Sequence, residues 1–296
     1  MKAFLALIRR EFIEHRGAFL IAPLILVGVV FLLTLLAFSA DRLDSRMSGQ
    51  LLTVFPTWVF EAGFAALASG WLVYLGFVLF FYCADGFAAD KRNNSMLFWK
   101  SMPVSDLKVL LSKLAAALTV LPASVFAIAL VSMLLLFGVA YVTTMVAGLG
   151  SAALLGNIAL IYAQMTLVFF VVLVCALLWY LPYMALVGAM ATAVGRWAIP
   201  LAVLLPSIVS ALEWVTLGGA HPFSTRTWAY LDYRSQMPVS LDVLEGIWEG
   251  ERRFEAVSFI TDMLARFDWL QVGIGAVFAA VMLYLASEYR RRAYPT

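Results

Sequence analysis

The residues best placed to do chemistry in this chain lie between Asp90 and Lys113, in the stretch DKRNNSMLFWKSMPVSDLKVLLSK. Asp90, Lys91, Arg92, Lys100, Asp106, Lys108 and Lys113 bring both signs of charge to a place whose flanking runs, Gly63–Cys83 and Leu114–Val142, carry none. Within that charge sits a bulky apolar cluster, Met96, Leu97, Phe98 and Trp99. Asn93, Asn94 and Ser95 supply side-chain oxygens that cap a short helix. Pro103 breaks the chain, and Ser105 or Asp106 caps the next helix, with Lys108 and Lys113 on it. The chemistry open to this spacing is binding rather than bond-making. A short helix showing Leu97, Phe98 and Trp99 at a membrane face has two uses: it lies in the headgroup layer, or it docks into a groove on a partner.

Elsewhere the polar residues are sparse and do not converge. No lysine follows a glycine, so the chain has no P-loop for ATP. His15 and His221 are far apart and no H-E-x-x-H occurs, which excludes a His-rich metal site. No G-x-S-x-G occurs, and no acid, base and nucleophile fall together, so no catalytic residues are expected. Cys83 and Cys175 lie in or beside apolar runs and read as small buried apolar residues, not as a disulfide framework. Glu61, Asp85 and Glu213 sit near the ends of apolar runs, and Gln164 is the strongly polar residue well inside one. Ion-coupled carriers usually keep carboxylates at mid-membrane, so their absence here points to energy supplied from elsewhere. Glu213, beside Trp214, is either an interfacial carboxylate or a gate at the outer mouth.

The elements that must position these residues are membrane helices. The chain is 64% hydrophobic and 13% charged, against about 25% charged in ordinary soluble domains. Several runs reach the roughly 20 residues that span about 30 Å of hydrocarbon as helix. They are solidly apolar rather than alternating, which excludes an outer-membrane barrel. The expected fold is an all-α integral membrane protein, one domain over residues 1–296, with six spans at 19–38, 63–83, 114–139, 158–193, 199–217 and 269–287. Leu181-Pro182 kinks the fourth span without ending it. Ahead of the first span, Met1–Arg16 places Phe4, Leu5, Ile8, Phe12 and Ile13 at helical spacing among charges. It reads as an amphipathic helix lying on the membrane, or else as the basic flank of the first span. A signal peptide fits poorly, since the charged region is long and holds two acids, although Ala37, Ser39 and Ala40 would suit a cleavage site.

Between spans, 84–113 is the charged loop and 218–268 is a large segment mixing aromatics with both charge signs. Leu241–Ala265 within it looks helical, with Leu241, Leu244, Ile247 and Trp248 on one face. The segment is either re-entrant at the outer leaflet or an ordinary outer loop with an aromatic belt. Ala185, Ala189 and Ala193, and Gly275 with Ala279, form small-residue stripes that suit close helix packing within the chain or across a dimer. Placing both termini in the cytoplasm puts every lysine inside, together with Arg9, Arg10, Arg16, Arg92, Arg196 and Arg290–Arg292. The positive-inside rule therefore favours that orientation.

The segment SMLFWKSMPVSDLKVLLSKL resembles the first cytoplasmic loop of permease subunits of bacterial type 2 ATP-binding-cassette exporters, where runs like FWKSLPVSD occur. Chain length and span pattern fit that family. The resemblance implies a multi-pass protein of the bacterial cytoplasmic membrane, paired with a second permease chain as a homo- or heterodimer. A cytosolic P-loop ATPase subunit would bind the ATP and magnesium, and this chain would hold no cofactor. A coupling helix formed by Asn94, Ser95, Leu97, Phe98, Trp99, Lys100, Ser101, Met102 and Pro103 would dock on the ATPase, with Lys91 and Arg92 at the rim. Arg9, Arg10 and Phe12 would belong to the family's connecting helix. Partners would be protein and lipid, not nucleic acid. No charged or aromatic-lined track marks a polysaccharide channel, which leaves lipids, peptides and hydrophobic drugs as cargo. The competing reading is a non-transport membrane scaffold that uses the same loop to recruit a cytosolic protein. An intramembrane enzyme, such as one modifying lipids, is opposed by the missing catalytic groups.

Overall fold

A computed structural model describes residues 2–39, 58–92, 104–146, 152–218, 221, 223–237 and 255–293. All regular structure among them is helical. The elements are α1 (Lys2–Arg16), α2 (Ala22–Ser39), α3 (Trp58–Arg92), α4 (Asp106–Leu118), α5 (Val120–Val146), α6 (Ala152–Val194), α7 (Ala198–Leu217), α8 (Arg226–Ser235), α9 (Ala256–Arg266) and α10 (Trp269–Ala293). Five runs of helix among the described residues are long and apolar enough to cross a membrane: Lys2–Leu36, Phe60–Arg92, Asp106–Val142, Leu155–Leu217 and Trp269–Ala293. Five runs stand where six spans were expected: the expected first span, 19–38, extends two residues past the run that ends at Leu36, and the other five fall within the remaining four runs. The fourth and fifth share the run Leu155–Leu217, whose only interruption is a 3-10 turn at Gly195–Trp197. Gly195 has φ +61°, the left-handed conformation that commonly ends a helix and costs glycine least.

A π turn at Gly17–Ile21 joins α1 to α2, and the residues flanking it keep right-handed helical angles. The amphipathic segment thus continues the first span as helix, and its inward side packs on α4. Between α4 and α5, Thr119 leaves helical geometry at φ −126° and ψ −83°. Pro122, three residues on, has no N–H to offer the carbonyl of Leu118. α6 runs 43 residues straight through Pro182, so the expected kink site does not end the helix. The described ends of the charged stretch 84–113 are helical: α3 reaches Arg92 and α4 begins at Asp106. Its helices persist because Phe87, Ala88, Ala89, Val109 and Leu110 face the core and give each end a packed side.

α6 is the spine, packed on α3 along one side and on α10 along another. α3 and α6 run side by side in one direction. Near one end Phe64 meets Phe169 with ring centroids 6.5 Å apart. Towards the other, Gly188 admits the Phe87 ring so closely that a Cβ there would lie 3.0 Å from it. A second apolar cluster joins Phe259 and Met263 of α9, and Phe267 just past its end, to Val168, Cys175 and Trp179 of α6. Gly275 and Ala279 are buried within the chain, and Pro182 lies 3.2 Å from where a Gly275 Cβ would be. Ala276 and Ala280 beside them are exposed. The outward surface of α2, including Leu24, Ile25, Leu32 and Leu33, is bare and apolar, as a lipid-facing helix requires.

Candidate functional site: a buried ion-pair cluster between the helix ends flanking residues 93–103

The residues between Arg92 and Val104, which include Asn94, Ser95, Leu97, Phe98, Trp99, Lys100, Ser101, Met102 and Pro103, lie outside the described residues. The two stems that carry them are described, and both are fastened. Asp90 sits in the last turn of α3 and Asp106 in the first turn of α4. Arg290, near the end of α10, reaches both. Its Nη1 donates to Asp90 Oδ2 at 3.1 Å. Its Nε lies 3.3 Å from Asp106 Oδ1, a contact of opposite charges rather than an aligned hydrogen bond. One guanidinium therefore holds together the two helix ends that flank residues 93–103.

Lys113 extends the cluster. Its Nζ lies 3.8 Å from Asp90 Oδ2 and 3.1 Å from Glu11 Oε1, and it donates to the Gly86 carbonyl at 2.9 Å. Glu11 belongs to α1, so the amphipathic helix is tied to the same group. The Tyr82 hydroxyl lies 3.0 Å from Glu11 Oε2 and 3.2 Å from the Lys113 carbonyl, and its single proton serves one of them at a time. The His15 ring packs edge-on against Tyr82 at 4.7 Å, with Nδ1 3.1 Å from the Glu11 carbonyl oxygen. Glu11, Asp90, Lys113 and Arg290 are each 2% exposed. Buried charges persist only when paired and hydrogen-bonded, and here α1, α3, α4 and α10 each contribute to the pairing.

Helix geometry explains which charges turn inward. On α10, Gly275, Ala279, Leu283, Ala286 and Arg290 recur at helical spacing and are all buried. Arg291 and Arg292 fall off that line, are exposed and pair with Glu288 at 2.8 Å. On α4, Val109, Leu110, Ser112, Lys113 and Leu114 face the bundle, whereas Lys108 is exposed. On α1, Leu7 and Glu11 lie one turn apart on the buried side. Reading the small-residue stripe of α10 three turns further would have reached Arg290, and Leu7 would have flagged Glu11. From sequence alone these charges bear on topology and not on one another.

The other candidate residues fall around this group. Lys91 is exposed, with Nζ 3.4 Å from the Ala193 carbonyl, and Arg92 pairs with Asp85 at the surface. Arg9 is exposed, Arg10 pairs with Glu14 at 3.3 Å, and Phe12 is partly buried against the main core. Glu213 is remote from the cluster. Its carboxylate accepts from the Arg226 and Thr227 amides at 3.1 and 3.0 Å, and so caps the start of α8. Cys83 and Cys175 are buried free thiols. No group of three metal-ligating side chains occurs among the described residues.

A second buried cation lies where α8 meets α6. Arg234 Nη2 donates to the Trp179 carbonyl at 2.7 Å, and the guanidinium sits 4.1 Å over the Trp179 ring. Trp179 Nε1 donates back to the Arg234 carbonyl at 2.9 Å. These contacts lock α8, which lies within the expected 218–268 segment, onto α6. Residues 238–254, with most of the expected Leu241–Ala265 helix, lie outside the described residues, and α9 covers Ala256–Arg266.

The fold and the site together define an all-helical, multi-pass membrane protein whose charged loop stems are clasped by one buried cluster. No family model, known protein or solved structure matches the chain.

Proposed function

We propose that the chain is the membrane-spanning subunit of an ATP-driven exporter, and that its 93–103 loop docks on a separate cytosolic ATPase. The observation that carries this reading is Arg290, which clasps Asp90 and Asp106 on the two sides of the loop. A docking loop transmits force only if its stems are rigidly joined to the helices that must move. Here the joint is a buried ion-pair cluster that also takes in α1 through Glu11 and Lys113.

In this reading six spans cross the bacterial cytoplasmic membrane with both termini inside, and two such chains enclose the pathway. The α1, loop and α10 end faces the cytoplasm, in keeping with its lysines and the run Arg290–Arg292. Leu97, Phe98 and Trp99 are the apolar anchors of the dock, and Lys91, Arg92 and Lys100 set its register. The chain hydrolyses nothing, and ATP with magnesium belongs to the partner.

The test is the paired substitution Phe98→Asp and Trp99→Asp. The ATPase should be lost on purification while the permease still folds. Copurification of an ATPase that still responds to the variant would remove the anchors from the account.

A further inference from the structure

α3 runs 35 residues without a break. Around it three helical runs are each interrupted once: α1–α2 by the π turn at Gly17–Ile21, α4–α5 at Thr119, and α9–α10 at Phe267–Asp268; α6 passes the same level as continuous helix but holds Pro182, which has no N–H for the Leu178 carbonyl. These interruptions share one layer of the bundle. The Ala18 carbonyl accepts from the Tyr74 hydroxyl at 2.6 Å, and the Phe19 ring meets Tyr82 at 6.0 Å. The Ser124 hydroxyl, five residues past Thr119, lies 3.1 Å from the Phe19 carbonyl and 2.7 Å from the Leu121 carbonyl, and its single proton serves one of them at a time. With Phe64 beside Phe169 and Phe87 against Gly188, residues 74–82 of α3 lie alongside Trp179 and Pro182 of α6. Leu75 and Leu79 accordingly share one groove with Ala176, Leu177 and Tyr180. Phe267 stacks 5.6 Å from Trp179, which brings the last break into the same layer.

At each break a side chain attends a backbone carbonyl. Tyr74 donates to the π turn, Thr119 Oγ1 donates to the Ala115 carbonyl at 2.6 Å, and the Trp269 Nε1 donates to the Leu264 carbonyl at 3.0 Å; one turn before Pro182, Arg234 donates to the Trp179 carbonyl. Backbone groups in a membrane need such partners, and side-chain partners let a helix bend there without unwinding. On the cytoplasmic side of the layer the ion-pair cluster binds α1, α4, α10 and the end of α3 into one body.

We propose that this layer is a hinge on which the ion-paired inner body swings as a unit, with unbroken α3 as its pivot. The proposal rests on the docking role given above, since a push on the loop would enter through Asp90 and Asp106.

The test uses the chain alone in lipid nanodiscs, with buried Cys83 and Cys175 changed to alanine and spin labels on introduced cysteines. Arg9→Cys with Leu33→Cys spans the π turn, and Lys108→Cys with Val131→Cys spans Thr119. Val73→Cys with Lys91→Cys follows unbroken α3, and Lys108→Cys with Arg291→Cys stays within the inner body. Pulsed electron–electron resonance should give cross-layer distance distributions about twice as wide as the other two, as for a hinge moving on slower timescales than side-chain libration. Pro122→Ala, which restores a donor to Leu118, should narrow the Lys108/Val131 distribution. Equal widths in all four pairs, or no narrowing with Pro122→Ala, would overturn the hinge. Because no ATPase is present, that outcome leaves the docking reading standing, just as failure to recover an ATPase leaves the hinge standing.

Discussion

Replacing Lys113 with methionine keeps the length of the side chain and removes its charge. Lys113 Nζ holds Glu11 at 3.1 Å, Asp90 at 3.8 Å and the Gly86 carbonyl at 2.9 Å, and its side chain is 2% exposed. Asp90 keeps Arg290, but Glu11 keeps only the Tyr82 hydroxyl and the adjacent His15. Stranding one member of a buried ion pair costs about 3–5 kcal/mol. That corresponds to roughly two to four orders of magnitude in the folding equilibrium. With Glu11→Leu added, no stranded carboxylate remains on α1, so the pair should show a favourable coupling of about 0.5–3 kcal/mol. The assay is unfolding in mixed micelles with rising SDS, followed by tryptophan fluorescence, for wild type, both single variants and the double. A Lys113→Met protein within about 0.5 kcal/mol of wild type, the usual scatter of surface changes, would refute the reasoning, and so would strict additivity.

Three further outcomes are expected. Arg290→Gln should release both stems and raise hydrogen exchange at Leu107–Leu110 and at the end of α3. Arg291→Gln removes only a surface pair and should leave exchange unchanged. Gly188→Val should drive a methyl group into the Phe87 ring and destabilise by about 1–3 kcal/mol in the same unfolding assay. Asp268, outside the spans, accepts from the Gln271 amide and then the Tyr233 hydroxyl, which hold its carboxyl below the usual range. Its contribution is therefore complete above the unfolded value of about 4 and fades as pH falls through the lower folded value. Acid should loosen the α9–α10 junction in wild type more than in Asp268→Asn, as read by hydrogen exchange at Trp269–Val272.

The apolar runs were legible because crossing hydrocarbon demands length and composition that nothing else in the chain imitates. The charged island and the start of α4 near Ser105 and Asp106 were legible for the converse reason, as polar residues and Pro103 punctuate the runs. Two things escaped. Glu11, Lys113 and Arg290 lie 102 and 177 positions apart in sequence, and local pattern has no access to such pairings; only the stripe ending in Arg290 hints that one of three arginines turns inward. Similarly, nothing in the local sequence marks Gly17–Ile21 as a π turn, whose Ala18 carbonyl meets the Tyr74 hydroxyl of another helix. The positively charged flank was visible in Met1–Arg16, while its continuity with the first span was not.

The most direct test of the account is to purify the intact chain in nanodiscs from cells expressing its genomic neighbours and identify by mass spectrometry what accompanies it. The account predicts a P-loop ATPase at one copy per chain, lost when Arg290 is changed to glutamine together with the Trp99→Asp anchor substitution. Recovery of the folded chain with no ATPase would contradict it and leave the clasped loop as a dock for a different cytosolic protein.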